Sequence, residues 1–133
     1  MKKLVLFFAA AAFITLTMSF TDTNENKKST VPAKAVYEVP ADVQEIIDNS
    51  CYGCHNSDSK NKKGKLKLDF DKMPEMKTGK LVGKLVKIHD AVDENDMPPK
   101  KFLNNYPDRA LTDEQKEKLT TWAKDLANAN GGE

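Results

Sequence analysis

The residues best equipped for chemistry are Cys51-Tyr52-Gly53-Cys54-His55. Two thiols three positions apart can reach two vinyl groups on one side of a porphyrin and close two thioether bonds. The next residue is then carried beneath the iron, where an imidazole nitrogen binds as the proximal ligand. Gly53 keeps the short loop free of a side chain and widens its backbone choices. The motif implies one covalent haem c with its iron, attached through Cys51 and Cys54 and ligated by His55. Two other chemistries use a Cys-x-x-Cys pair. A redox dithiol needs no adjoining His and sits beside a βαβ pattern. Zinc wants four ligands. The chain has two Cys and two His, so a Cys/His zinc site would need Cys51, Cys54, His55 and His89 together.

Iron held by one imidazole needs a second axial ligand or an open face. The choices are His89, Met73, Met76 and Met97. Met97 lies 42 residues beyond His55, far enough for the chain to cross to the other face of the haem. Pro98 and Pro99 fix their own φ and push Met97 toward extended backbone, so a stiff loop holds a weak ligand. A core methionine is the plain alternative for Met97. His89 sits on an apolar helix face, either as a packed histidine or as the sixth ligand in place of Met97. Met73 and Met76 flank Pro74 in a loop and are weaker choices.

Several elements must position these residues. Pro40 suits a first helical turn, and Asp42 and Glu45 suit its positive end. Val43, Ile46 and Ile47 form one apolar stripe, and this helix runs into Cys51. Residues 56–65 are polar and Lys-rich, with Lys60, Lys62, Lys63 and Lys65 and a turn at Gly64. The lysines either steer an acidic partner or form a solvated loop. Leu66, Leu68 and Phe70 then read as an extended segment laid over the cofactor edge. Residues 79–92 read as a helix whose broad apolar face comprises Leu81, Val82, Leu85, Val86, Ile88, His89 and Val92. The turn formers Asp93-Glu94-Asn95-Asp96 end it. Thr112 with Gln115 forms a capping box, followed by a stripe of Leu119, Trp122, Ala123 and Leu126. That stripe predicts that Trp122 packs on the cofactor or on the helix leading into Cys51.

The 133-residue chain divides into three parts. Residues 1–19 carry a basic start, an apolar run and small residues near Ser19, the pattern of a secretory signal peptide. An uncleaved anchor is the alternative. Residues 20–38 are polar and read as a disordered tether. Residues 39–130 form the folded domain, small for a self-sufficient core, so a buried haem would supply apolar surface. Without residues 1–19 the 21 basic residues fall to 19 against 20 acids, a net charge of −1. That gives no argument for nucleic-acid binding. Both cysteines lie in the motif, so no structural disulfide is available. Thioether attachment occurs outside the cytoplasmic membrane in bacteria, in agreement with an exported, periplasmic chain.

Cys51-Tyr52-Gly53-Cys54-His55, Met97-Pro98-Pro99, Tyr106-Pro107, Leu111-Thr112 and Trp122 together resemble the small bacterial haem-binding domain family of c-type cytochromes. The resemblance covers residues 39–126. It implies an all-α, cytochrome c-like bundle of about three or four helices around one haem, with His55 and Met97 as axial ligands. Pro98 and Trp122 would line the cofactor. One departure is that the stretch between the haem motif and Met97 is short and Lys-rich, where many relatives have a longer, Trp-rich one. The expected role is a monomeric periplasmic electron carrier serving redox partner proteins, and not an enzyme by itself. The competing class is a haem enzyme or gas sensor with a displaceable sixth ligand, for which His89 or Arg109, the only Arg in the chain, would serve distally. A haem-free thiol or zinc protein is a third class.

Overall fold

Five α-helices and two 3₁₀ segments, with no strand, make up the described residues of the computed structural model, 36–131. The signal peptide read at 1–19 and residues 20–35 of the tether lie outside the described residues. The helices are α1 (Ala41–Ser50), α2 (Lys62–Lys67), α3 (Thr78–Asp93), α4 (Lys100–Leu103) and α5 (Asp113–Ala129). The 3₁₀ segments are Phe70–Glu75 and Pro107–Arg109. This is the expected small all-α bundle, with two short helices beyond those read from the sequence. Among the described residues no helix is long and apolar enough to cross a membrane.

The two long helices, α3 and α5, share the largest contact, and α1 packs on α5. The α3 stripe is Leu81, Leu85, Ile88 and Val92, and α5 answers with Leu119, Trp122, Ala123 and Ala127. α1 adds Val43, Ile46 and Ile47. Phe70, Met73 and Leu111 complete the core. Leu85 and Leu119 are fully buried, so truncating either to Ala would cost about 2–5 kcal/mol. The apolar face of α3 is narrower than the sequence implies: Val86 is 43% exposed and His89 lies partly in solvent. His89 is therefore not the packed core histidine expected.

The ends of the helices follow their caps. Thr112 Oγ1 accepts from Gln115 N at 3.2 Å, and Gln115 Oε1 accepts from Thr112 N at 3.0 Å, the reciprocal capping box. At the end of α3, Asn95 has a left-handed φ of 59°. Asn95 N donates to Val92 O and Asp96 N to Ala91 O, so the chain reverses in a Schellman turn. The four turn formers read from the sequence supply it.

Residues 36–38, the first described, pack onto the bundle. Asn130, buried at the end of α5, accepts from Val36 N and donates to Val36 O, each at 2.9 Å. Trp122 Nε1 donates to Glu38 O at 2.9 Å, and the Tyr37 ring meets Trp122 edge to face at 6.3 Å. Composition alone hides this, because the anchoring groups are backbone atoms of a polar stretch. Burial pushes the Tyr37 phenol up to about 12.

Candidate cofactor site

α1 carries its hydrogen bonding straight into the motif. Cys51 N and Tyr52 N both donate to Ile47 O at 2.8 Å. Cys54 N and His55 N donate to Cys51 O at 3.1 and 3.2 Å. The turn is then gripped from outside. Asp71 accepts from Tyr52 Oη at 2.7 Å and from Ser57 N at 2.8 Å. The Asp71 carboxylate raises the Tyr52 phenol above its usual range. Asp69 accepts from Ser57 Oγ at 2.8 Å and pairs with Lys72 at 3.0 Å. Burial works against the Asp69 charge, but Lys72 and Ser57 outweigh it and hold the carboxyl low.

His55 is fixed by two backbone carbonyls. Its Nδ1 lies 3.0 Å from Gly64 O and 3.2 Å from Leu68 O. A carbonyl oxygen only accepts, so Nδ1 is the donor, which in the neutral ring leaves the lone pair on Nε2. A histidine that binds a metal is held in this way, its second nitrogen donating to a carbonyl. The element that supplies the carbonyl is α2, a helix in place of the expected polar loop. Asn61 caps it, accepting from Gly64 N at 2.9 Å. Gly64 is a close-approach residue, not a turn: a Cβ there would stand 2.7 Å from Cys54 O. The expected extended segment over the cofactor shrinks to Leu68 and Asp69, between α2 and the first 3₁₀ segment.

Cys51, Cys54 and His55 share a cavity of about 560 Å³ with Met97 and Pro98. Leu68, Phe70, Ile88, Val92, Phe102 and Leu119 supply apolar wall. The volume is in the range of small-molecule and cofactor sites. A second cavity of about 480 Å³ shares Cys54, His55, Lys67, Met97, Pro99 and Phe102 with the first, and its other walls come from α2 and α4. Met97 N donates to Ala91 O at 3.0 Å, the carbonyl that also closes the Schellman turn. The end of α3 thus sets where Met97 stands.

These residues fit a flat, largely apolar macrocycle. Two free thiols, one imidazole with an available Nε2 and one thioether stand around apolar walls. Burial, with Cys54 beside it, pushes the Cys51 thiol up to about 12. A reactive dithiol requires the opposite shift, toward the thiolate. Among the described residues no group of three or more His, Cys, Asp or Glu is placed to hold a metal ion. The four-ligand zinc set is therefore not assembled.

The remaining candidates fall elsewhere. Met73 is fully buried in the protein core, and Met76 packs against that core. His89 does not line either cavity, and its Nδ1 lies 3.1 Å from Asp90 Oδ1. Trp122 is buried but stands outside both cavity linings, committed to Tyr37 and Glu38. The stripe was read correctly, but its members diverge: Leu119 lines the cavity while Trp122, one turn on, covers the N-terminal segment. The sequence reading missed Phe102, Lys84 and Lys87 as lining residues. For Phe102 the signal was its nearness to Met-Pro-Pro; for the lysines there was none.

No curated protein and no solved structure matches the chain. A family model described as a haem-binding domain matches residues 58–125, just over half of the chain. The matched stretch starts past His55 and takes in α2, Met97 and most of α5, so it stands apart from the Cys/His motif. Because it spans more than half of the sequence and contains both the scaffold and the far wall of the cavity, the chain belongs to the haem-binding domain family.

Proposed function

We propose that the chain is an exported, monohaem c-type cytochrome that carries single electrons. The observation that carries this reading is His55, left with a free Nε2 by the two carbonyls on Nδ1, on one cavity wall with two free thiols. Each thiol would add its S–H across one vinyl group, the sulfur taking one carbon and the proton the other, with no net oxidation. His55 Nε2 and Met97 Sδ would hold the iron, and the group would supply a one-electron couple. With His55 and Met97 both holding the iron, the group would be shielded from peroxide and oxygen. The chain's own residues then shield the group, hold its ligands and leave an edge reachable.

On this reading the reachable edge lies at the second cavity, between α2 and α4. Residues 60–67 and 100–105 carry seven lysines and no acid. A one-sign patch beside an opening favours an acidic redox partner and speeds its approach. The signal-like pattern at 1–19 supports periplasmic delivery of the cofactor.

Protein made with a haem-attachment system tests the reading. Its intact mass should include one haem that survives acid-acetone extraction, and the ferric form should show the weak far-red band of sulfur-to-iron charge transfer. Met97→Ala should remove the band, open the iron to carbon monoxide and lower the potential, while His89→Ala leaves the band in place. Haem that extracts completely would sink covalent attachment. Fast, complete carbon monoxide binding by the wild type would replace the carrier by a sensor or enzyme.

A further inference from the structure

The segment after Met97 has little burial to hold it. Neither α4 nor the second 3₁₀ segment contains a buried residue, and Pro98 is the one buried residue of 97–110. Hydrogen bonds still make the segment one body. Phe102 N donates to Pro99 O at 2.8 Å, Tyr106 N to Phe102 O at 3.0 Å, and Arg109 N to Tyr106 O at 3.1 Å. The Phe102 and Tyr106 rings meet at a tilt of 34° with centroids 5.0 Å apart, and the Arg109 guanidinium lies 5.7 Å from the Tyr106 centroid.

The far end of this body is pinned by a polar contact. Arg109 Nη1 donates to Asn49 O at 3.3 Å. That carbonyl belongs to the last turn of α1, which has no basic residue of its own. A helix C-terminus carries carbonyls short of donors and a partial negative charge, so a cation is stabilised there. α1 is the helix that runs into Cys51. Arg109 Nη1 also stands 3.9 Å from the place a Cβ on Gly53 would take. The lone arginine therefore joins the end of α1, beside the cysteine turn, to the Met97 body.

We propose that Arg109 is a positioning residue for Met97: acting through Tyr106 and Phe102, it ties the Met97 segment to the end of α1 that leads into Cys51 and keeps the sixth ligand seated. This rests on the His55/Met97 reading above. Arginine suits the task because its planar fork can stack on a ring and donate sideways at once, which a lysine ammonium cannot do. The contact is charge-assisted, and cation–π attraction adds to it.

The test uses haem-loaded protein with Arg109→Ala, Arg109→Lys and Tyr106→Leu, the last at a half-exposed position. Three readouts are compared: intact mass, the ferric far-red band, and the rate of carbon monoxide binding to the ferrous form. The wild type separates the ligand reading from the role of Arg109. A wild type without the band that takes up carbon monoxide at once fails the His55/Met97 reading, and this proposal with it. A wild type with the band makes the variants decisive. All three should keep haem mass and helix content but show a weakened band and faster carbon monoxide binding, by about tenfold for Arg109→Ala. Lysine should not rescue. Should Arg109→Ala lose helix by circular dichroism, Arg109→Lys and Tyr106→Leu decide the matter. An unchanged band and rate in those two variants would overturn the proposal.

Discussion

Gly64 shows how much one residue type can carry. Its carbonyl holds His55 Nδ1, its amide is capped by Asn61, and its missing side chain lets α2 approach Cys54 O. Adding a methyl group at 2.7 Å from a backbone oxygen forces α2 outward, away from the imidazole. Gly64→Ala should therefore destabilise the protein by about 1–3 kcal/mol, an overpacking cost. Gly83 in α3 is the internal control, because a Cβ there meets nothing within 4 Å. Gly83→Ala should stabilise by about 0.5–1 kcal/mol, since alanine loses less freedom on folding. Denaturant unfolding of both variants checks the pair; equal effects would mean that the close approach at Gly64 does not matter. The sequence marked Gly64 as a turn because a glycine's need for space, unlike a thiol's chemistry, is invisible without its neighbour.

At the scale of elements, what repeats was legible and what reaches across the chain was not. The stripe Val43, Ile46, Ile47 and the Thr112–Gln115 box follow from local periodicity and capping, and α1 and α5 form where those patterns stand. α3 likewise spans the run read at 79–92. α2 and α4 were missed because six and four residues are too short to show a period. α2 is held by a cap and by a contact to Cys54, and α4 by its link to Pro99. The packing of residues 36–38 is hidden for a related reason: they are fixed by Asn130 and Trp122, some ninety residues away. Starting the chain at residue 39 instead of 36 should then cost about 2 kcal/mol, from three or so hydrogen bonds of modest net worth. The same truncation should shift Trp122 toward an exposed environment. Equal melting temperatures for the two lengths would show that this segment merely rests on α5.

For the whole molecule, the residues with chemistry come from three distant stretches, and only the fold brings 51–55, 64–70 and 97–109 around one cavity. The second opening, between α2 and α4, adds a property that belongs to no single residue. The lysines flanking it create a positive field over the cofactor position, and a cationic field favours the state with one electron more. Such a field is long-range and solvent-exposed, so dissolved salt weakens it; the Debye length is about 10 Å at 0.1 M ionic strength. On the reading proposed above, the reduction potential should fall as ionic strength rises, by an amount on the order of tens of millivolts. Redox titrations at low and high salt measure it, and replacing Lys63 and Lys101 by Gln should flatten the dependence. A partner that binds this face would act in the same direction as salt. By neutralising the lysines, an acidic surface would lower the potential of the bound carrier and make it a stronger reductant at the moment of contact.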